Sequence, residues 1–197
     1  DRWLPTPLAS DGFSAWGTTD GLGHAETTGL GSGGSGETWT DNAGTWAASA
    51  GSAAASALDV PIIGTAIATV DTSTADVIAT VKVTRVDDAA GLVVRYADAN
   101  NYVYAVHNGT NAQLVKVVSM IPTTLVNAAA TYSAGADLRV VCGATKFRLY
   151  YNGVFIGSEQ TISDAALQSG TKQGLYTTDI DNTFDDLRIY ARGTGGE

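Results

Sequence analysis

The sequence predicts an all-β protein built from two packed antiparallel sheets. Apolar residues alternate with other residues at a period of two in many short runs, as they do in pleated strands. Tight-turn residues separate these runs, and the chain has 23 glycines against 4 prolines. Helix signals occur in a single segment. We therefore expect more than about ten strands and no helix longer than about three turns.

A meander at the centre of the chain gives the clearest strand signals. The runs Leu92–Tyr96 and Tyr102–Val106 both alternate, and Asp98–Asn101 separates them as a turn. Asn108-Gly109 closes the second run in the same way. Further along, Asn152-Gly153 lies between two apolar runs, which is the strongest short-range signal for a two-residue hairpin turn.

The other elements follow from the same patterns. Ser163–Gly170 is predicted as one short helical turn, with Ser163 as its N-cap and Gly170 as its stop. Trp39 and Trp46 flank a predicted turn and are expected to cover the edge of the β core, with sugar stacking as the alternative. Further strands are predicted at Ala53–Leu58, Ile62–Val70, Val77–Val86, Gln113–Met120, Leu138–Cys142, Lys146–Tyr151, Val154–Gln160, Gly174–Thr178 and Thr183–Ala191.

One domain is expected, over residues 11–191. Residues 1–10 contain Pro5 and Pro7 and are interpreted as an extended arm or linker. Residues 192–197 are interpreted as a flexible exit from the domain. A start at Asp1 without a leader indicates a processed chain or a piece of a longer one.

Composition and charge exclude several classes of partner. The formal charge of -9 repels phosphate backbones, so no nucleic acid partner is expected. No apolar run reaches the roughly 18 residues of a membrane span, so no membrane insertion is expected. The single cysteine, Cys142, cannot form an intrachain disulfide and is interpreted as a small buried apolar residue.

Seven segments, taken in chain order, resemble the concanavalin A-like (laminin-G-like) jelly-roll modules of secreted bacterial proteins and of phage tail and virion proteins. The resemblance implies a two-sheet antiparallel jelly-roll sandwich and an extracellular or virion-associated location. The segments are Ser10–Phe13, Gly44–Trp46, Gly91–Asp98, Asn101-Tyr102, Leu149–Gly153, Gly174–Tyr176 and Phe184–Ile189.

The resemblance leaves three functions open. The first is a non-enzymatic binding or adhesion module that recognises a glycan or another cell-surface ligand as part of a virion, tail or extracellular assembly. The second is a purely structural subunit, such as a virion decoration, filament or surface-layer component, that contacts neighbouring subunits. The third, a glycoside hydrolase, needs two carboxylates that flank one bond. Since no such pair is found on a plausible central strand, no enzyme activity is expected.

Six aromatic or planar polar residues on neighbouring predicted strands are candidates for ligand binding, because they can stack on a sugar or form paired hydrogen bonds with it. Alternation cannot place all six on one face. Tyr102 and Tyr104 are in phase with each other and out of phase with His107. In the preceding strand, Arg95 is out of phase with Tyr96. The candidates are Arg95, Tyr102, Tyr104, His107, Arg148 and Tyr150.

A structural Ca²⁺ is implied by the resemblance. In many modules of this fold, calcium joins the first strand to the last through a carboxylate just before the closing strand. Asp185 matches that position, and Asp11 lies near the opening strand. Backbone carbonyls of the glycine-rich stretch Gly31–Gly36 are expected to complete the set of oxygen ligands.

Overall fold

A computed structural model describes residues 7–11, 38–49, 51–59 and 64–192. Within these ranges the chain forms strands, one turn of 3-10 helix at Ala165–Leu167 and no α-helix, so the all-β prediction is confirmed. The strands are β1 (Ala9–Asp11), β2 (Thr40–Ala43), β3 (Thr45–Ser49), β4 (Ser52–Ala57), β5 (Ala66–Asp71), β6 (Val77–Thr84), β7 (Ala90–Asp98), β8 (Asn101–His107), β9 (Asn111–Val118), β10 (Ile121–Ala129), β11 (Ala136–Gly143), β12 (Lys146–Tyr151), β13 (Val154–Thr161), β14 (Lys172–Thr177) and β15 (Thr183–Ala191).

The strands form two antiparallel sheets that pack face to face. We call them the front sheet, with strand order β10-β9-β8-β7-β14-β5-β2, and the back sheet, with order β13-β12-β11-β6-β15-β4-β3. The short strand β1 also joins the back sheet, along β15. Non-sequential neighbours such as β7 and β14 show that the chain crosses between the sheets, as the predicted sandwich requires.

The core between the sheets is filled by the inward side chains of alternating strands. In β6, every second residue from Val77 to Val83 is buried, as its sequence pattern predicts. Trp46 is fully buried, and its ring lies 5.6 Å from that of Phe184. Each large apolar side chain buried in this way contributes about 1.5–3 kcal/mol to folding. Trp46 is therefore a core residue, and its burial excludes sugar stacking.

The segment around Trp46 differs from the prediction of a turn over residues 40–45. The structure has two strands there, β2 and β3, and they belong to different sheets. Gly44, at a φ of +64°, makes the change of direction between them. Trp39 and Trp46 thus belong to two strand regions joined by a one-residue bend.

Two hairpin turns share the same backbone geometry, but only one of them was predicted from the sequence. Asn152 and Gly153 have φ values of +47° and +78°, which confirms the two-residue turn between β12 and β13. Ser119 and Met120 form an equivalent turn, with φ values of +51° and +66°. The predicted strand Gln113–Met120 is therefore present as β9 but ends two residues earlier, at Val118. The strand after the turn, β10, was missed because Ser-Met carries no turn signal.

The helical turn is shorter than predicted, and its cap is different. Asp164, rather than Ser163, is the N-cap residue, and its side chain makes no capping hydrogen bond. Its carboxylate instead lies 2.7 Å from Lys116 Nζ. Leu167 is fully buried and holds the turn against the core.

Residues before position 11 also pair with the sandwich. Leu8 N donates a 2.6 Å hydrogen bond to Ile189 O, and Ala9 is buried in the core. The end of the proline-containing segment is thus paired with the closing strand. In the described part of the chain, no helix is long and apolar enough to cross a membrane.

Candidate functional site

A β-bulge in β7 determines which side chains reach the outer face of the front sheet. Val93 pairs with Gly174 of β14, but the next paired residue, Tyr96, lies opposite Lys172. The chain therefore holds one extra residue on β7, and Arg95 takes a φ of +50°. Because the bulge reverses the alternation, Arg95 turns into the protein and Tyr96 turns outward, contrary to the phase predicted from the sequence.

Arg95 is consequently a buried structural residue, with 1% of its surface exposed. Its Nη2 lies 2.6 Å from the Asp76 carboxylate, and its Nη1 lies 3.1 Å from Gln168 Oε1. The guanidinium also lies 5.1 Å from the centre of the Phe147 ring. These contacts occupy the side chain inside the sandwich, so it does not reach the ligand face for which it was a candidate.

His107 is likewise enclosed, with none of its surface exposed. Gly109 N donates to His107 Nδ1 at 2.9 Å, so Nε2 carries the proton and donates to Ala130 O, also at 2.9 Å. The Tyr151 ring lies 4.6 Å from the imidazole. Burial lowers the pKa of His107. This candidate is therefore a neutral residue that fixes the Asn108-Gly109 turn.

Arg148 and Tyr150 lie on the outer face of the back sheet, away from the other candidates. Arg148 Nε is 2.7 Å from the Glu159 carboxylate, and the Tyr150 ring is 5.3 Å from that of Phe155. We call this surface the ion-pair face. Its ionic residues are Lys82, Lys146, Arg148, Glu159, Asp186 and Arg188.

Tyr102 and Tyr104 lie together on the outer face of the front sheet, as their phase predicts. Tyr102 also contacts Tyr96, at 5.7 Å between ring centres. Tyr104 and Tyr176 are stacked 4.4 Å apart with an interplanar angle of 2°. Their strands, β8 and β14, flank β7, where Gly91 lies opposite Tyr176 and Val93 lies opposite Tyr104. We call the surface around these four rings the tyrosine cleft.

The cleft follows β8 and encloses about 270 Å³. At one end Tyr102 pairs with Val117, and Val117 pairs with Pro122. At the other end Val106 pairs with Gln113. The described residues that line it are Thr65, Ala89, Ala99, Tyr102, Tyr104, Val106, Gln113, Val117, Met120, Pro122, Tyr176 and Thr178.

A smaller depression of about 40 Å³ continues the cleft past Tyr96 towards Asn42 and Asp59. The two share Thr65, Ala99 and Tyr102 in their walls. Among the described lining residues of both, Asp59 is the only one with a side chain that is charged at neutral pH. The tyrosine cleft itself therefore favours an uncharged ligand, since none of its described lining residues would give a desolvated ion a charged partner.

The four tyrosines remain neutral phenols over the physiological pH range. Burial raises the pKa of Tyr102 to about 12, and the neighbouring tyrosines add to the shift. Burial also raises the pKa of Tyr96 and Tyr104, and it raises that of Tyr176 furthest. A neutral phenol offers an apolar ring for stacking and a hydroxyl that both donates and accepts, which suits a sugar.

Tyr96 and Tyr176 were not among the sequence candidates. Tyr96 was hidden by the bulge, because simple alternation puts it in the core. Tyr176 meets Tyr104 only because β14 pairs with β7, a contact between segments about 80 residues apart for which local patterns give no signal. The only hint in the sequence was that the predicted strand Gly174–Thr178 contains an aromatic residue, Tyr176.

The residues considered for calcium are only partly described. Asp185 lies where β15 is irregular, and its Oδ1 accepts the backbone N–H of Asp186 at 2.7 Å. Asp186 is bound by Lys82 and Arg188. The Asp11 side chain and residues 31–36 lie outside the described residues. Within the described part of the chain, no three His, Cys, Asp or Glu side chains converge as a metal site.

The described side chains near Asp185 thus do not supply the six to eight oxygen ligands that calcium takes. The calcium site stays a prediction. It is tested by thermal melting in EDTA and in excess calcium, because an ion bound only by the native state raises the midpoint.

Several solved structures share the two-sheet architecture of this chain. The carbohydrate-binding module CBM66 from Bacillus subtilis superimposes with a TM-score of 0.66 at 17% identity, over 78% of this chain and 95% of that one. A Bacillus subtilis protein of unknown function with a galectin-like fold gives 0.58 at 9% identity, over 96% of this chain and 99% of that one. The chain has a concanavalin A-like, galectin-like fold. This confirms the resemblance seen in the sequence.

A larger protein also contains the same architecture. The GH43 protein BlXynB from Bacillus licheniformis matches with a TM-score of 0.59 at 17% identity. The match covers 98% of this chain but only 41% of that one. At these identities the likeness is one of fold. No protein-family model matches the chain, and no curated protein matches it.

Proposed function

We propose that this galectin-like sandwich is a non-catalytic module that binds an uncharged glycan in the tyrosine cleft. The single observation that carries the proposal is the group of four neutral tyrosines on the outer face of the front sheet. Aromatic rings stack on the apolar faces of sugar rings, and the phenol and amide groups between them bind hydroxyls. The shared fold with a protein named as a carbohydrate-binding module supports the same proposal.

The charge distribution supports a neutral rather than an anionic glycan. A carboxylated or sulfated sugar needs a cationic partner when its charge is desolvated. The described lining of the cleft contains no Lys or Arg side chain. Arg95, which directly precedes Tyr96 in the sequence, is bonded to Asp76 inside the sandwich. The net charge of -9 adds a general repulsion of anionic polymers.

The absence of a carboxylate pair in the described lining supports binding without hydrolysis. Glycoside hydrolysis uses two carboxyl groups about 5–9 Å apart across the scissile bond. Asp59 is the one carboxylate found in the described walls of the cleft and its extension.

We also propose the setting that the sequence resemblance implies, in which the chain is an adhesion module of a virion or extracellular assembly.

A panel of immobilised neutral and anionic glycans tests the proposal. Wild-type protein is expected to bind neutral glycans, and Tyr104→Ala to weaken that binding by about tenfold or more through loss of the half-buried stacking ring. Tyr104→Phe keeps the ring and separates the loss of the hydroxyl from the loss of stacking. Tyr150→Ala, on the ion-pair face, is the matched control and is expected to bind like wild type. Binding that is confined to anionic glycans, or that is lost equally in the Tyr150 variant, would overturn the proposal.

A further inference from the structure

The hairpin turn Ser119-Met120 has a costly backbone and an exposed apolar side chain. Two-residue turns of this kind need positive φ at both positions, which Asn and Gly adopt at little cost. Here the two positions are Ser119 and Met120, at φ values of +51° and +66°. Met120 is also 54% exposed. The equivalent turn on the back sheet carries the favoured pair, Asn152-Gly153, so the fold itself does not require the unfavourable residues.

A second turn holds this strained hairpin in place. Met120 N donates a 3.0 Å hydrogen bond to Asn100 O, and Ser119 N donates at 3.1 Å to Asn101 Oδ1. Asp98 in turn accepts from the backbone of Asn100 and from the side-chain amide of Asn101. A strained conformation persists where surrounding bonds over-determine it, as these do. These hydrogen bonds between the two turns fix Met120 at one end of the tyrosine cleft.

The two ends of the cleft differ in chemistry. At the Met120 end, the wall consists of Ala99, Met120, Pro122 and the ring of Tyr102, which present methyl, methylene and thioether groups. At the opposite end lies Gln113, whose amide nitrogen is 3.1 Å from Asn127 Oδ1. A ligand that fills the whole cleft therefore needs polar groups at one end and an apolar group at the other.

We infer that the Met120 end is a subsite for the acetyl group of an N-acetylated or O-acetylated neutral glycan. This inference rests on the proposed function and names its ligand more closely. An acetyl group is uncharged, as the lining requires, and its methyl would lie against Met120 and Pro122 while the sugar ring stacks beside Tyr102 and Tyr104. The unbranched thioether of Met120 adapts its shape to such a contact.

The test compares pairs of neutral sugars that differ only by an acetamido group in place of a hydroxyl. Glucose, galactose and mannose are immobilised beside N-acetylglucosamine, N-acetylgalactosamine and N-acetylmannosamine. Wild-type protein is expected to prefer the acetamido form about three- to tenfold in at least one pair, the effect of burying about one methyl group. Met120→Gly is expected to lose that preference, so that it binds the two members of each pair with about equal affinity.

Melting temperature separates the side chain from the backbone strain. Met120→Gly should melt no lower than wild type, because glycine adopts positive φ without steric cost. Met120→Ala keeps the strain and should lose the same preference. Val154→Ala, an exposed apolar residue beside the equivalent turn of the back sheet, is the matched control and should keep the preference.

Each result has a distinct meaning. Equal binding of both members in every pair would overturn the acetyl subsite and leave neutral-glycan binding intact, as would a preference that survives in Met120→Gly. Binding of a fluorescent fatty acid with no binding of any sugar would overturn both this inference and the proposed function.

Discussion

The two outer faces of the sandwich are built from the same kind of alternating strand and yet present opposite surfaces. On the back sheet, β12 alternates between exposed and buried residues, and its outward side chains include the ion-paired Arg148. On the front sheet, seven consecutive residues of β7, from Ala90 to Tyr96, are buried. The back sheet therefore has a solvated outer face, whereas the outer face of the front sheet is a second packed surface.

The front sheet is therefore the face of this fold on which a ligand site is expected. Ion pairs such as Lys146–Glu159 keep the back sheet hydrated and add little stability, because both side chains remain partly exposed to water. Folding orders and partly dehydrates the buried tyrosines of the front sheet, which costs conformational entropy. Their rings therefore form a stacking surface that is already organised before a ligand binds. An ordered aromatic surface binds a ligand with less loss of entropy than a set of exposed flexible side chains does.

The largest expected effect is on stability. Tyr176→Ala should lower the free energy of unfolding by about 3 kcal/mol, because it removes a buried ring and its stack with Tyr104. Tyr150→Ala, a partly exposed aromatic residue of the ion-pair face, should cost about 1 kcal/mol or less. Urea titrations followed by circular dichroism measure both. Equal losses would show that the two faces are packed alike.

The next largest effect concerns the back-sheet turn at Asn152, where a substitution should reduce stability without changing ligand affinity. Asn152→Pro should destabilise the protein by about 2 kcal/mol, because proline cannot adopt a φ of +47° and removes the N–H that bonds Asp137 O. The folded variant should still bind neutral glycan with the wild-type affinity, measured by isothermal titration calorimetry. A parallel loss of affinity would show that the tyrosine cleft depends on the back-sheet hairpin.

A pH titration distinguishes the buried tyrosines of the front sheet from exposed ones. Burial raises the pKa of Tyr102 to about 12, above its value in an unfolded chain. The unfolded state therefore loses this proton first, and the stability that the group contributes should fall as the pH rises from about 10 to about 12. Phenolate absorbance recorded beside circular dichroism should show the cleft tyrosines ionising together with unfolding. Ionisation of all tyrosines near pH 10 in the folded protein would contradict the packed tyrosine cleft.

The smallest effect concerns the ion-pair face. Glu159→Gln removes the partner of Arg148 and Lys146 on the surface of the back sheet. It should change the melting midpoint by about one degree or less and leave glycan affinity unchanged, because exposed ion pairs are weak. Differential scanning calorimetry in low salt measures this change. A large loss of stability would show that the face is not merely solvated.

Much of the fold could be predicted from the sequence because period-two alternation and turn residues are local signals. They gave the meander, the Asn152-Gly153 turn and the inward face of β6. The Ser119-Met120 turn gave no such signal, because its backbone is held by bonds from Asn100 and Asn101 rather than by its own residue types. β10 was missed for that reason.

The site was predictable only in part. Tyr102 and Tyr104 share a strand and a phase, so the sequence could place them on one face. The prediction of Arg95 as a ligand-binding residue was wrong because a single bulge residue reverses the alternation. The alternating pattern of the sequence contains no information about bulges. Tyr176 joins the cleft through the pairing of β14 with β7, which the long connection between them leaves undetermined at the level of the sequence.

Backbone amide chemical shifts, recorded while a neutral glycan is titrated into the protein, show directly which face of the sandwich binds the ligand. Binding in the tyrosine cleft should shift the amides of β8, β9 and the turn at Asn100, with Tyr104 among the largest shifts and β12 unchanged. Shifts confined to β11, β12 and β13, around Arg148 and Tyr150, would place the ligand on the ion-pair face and contradict the account.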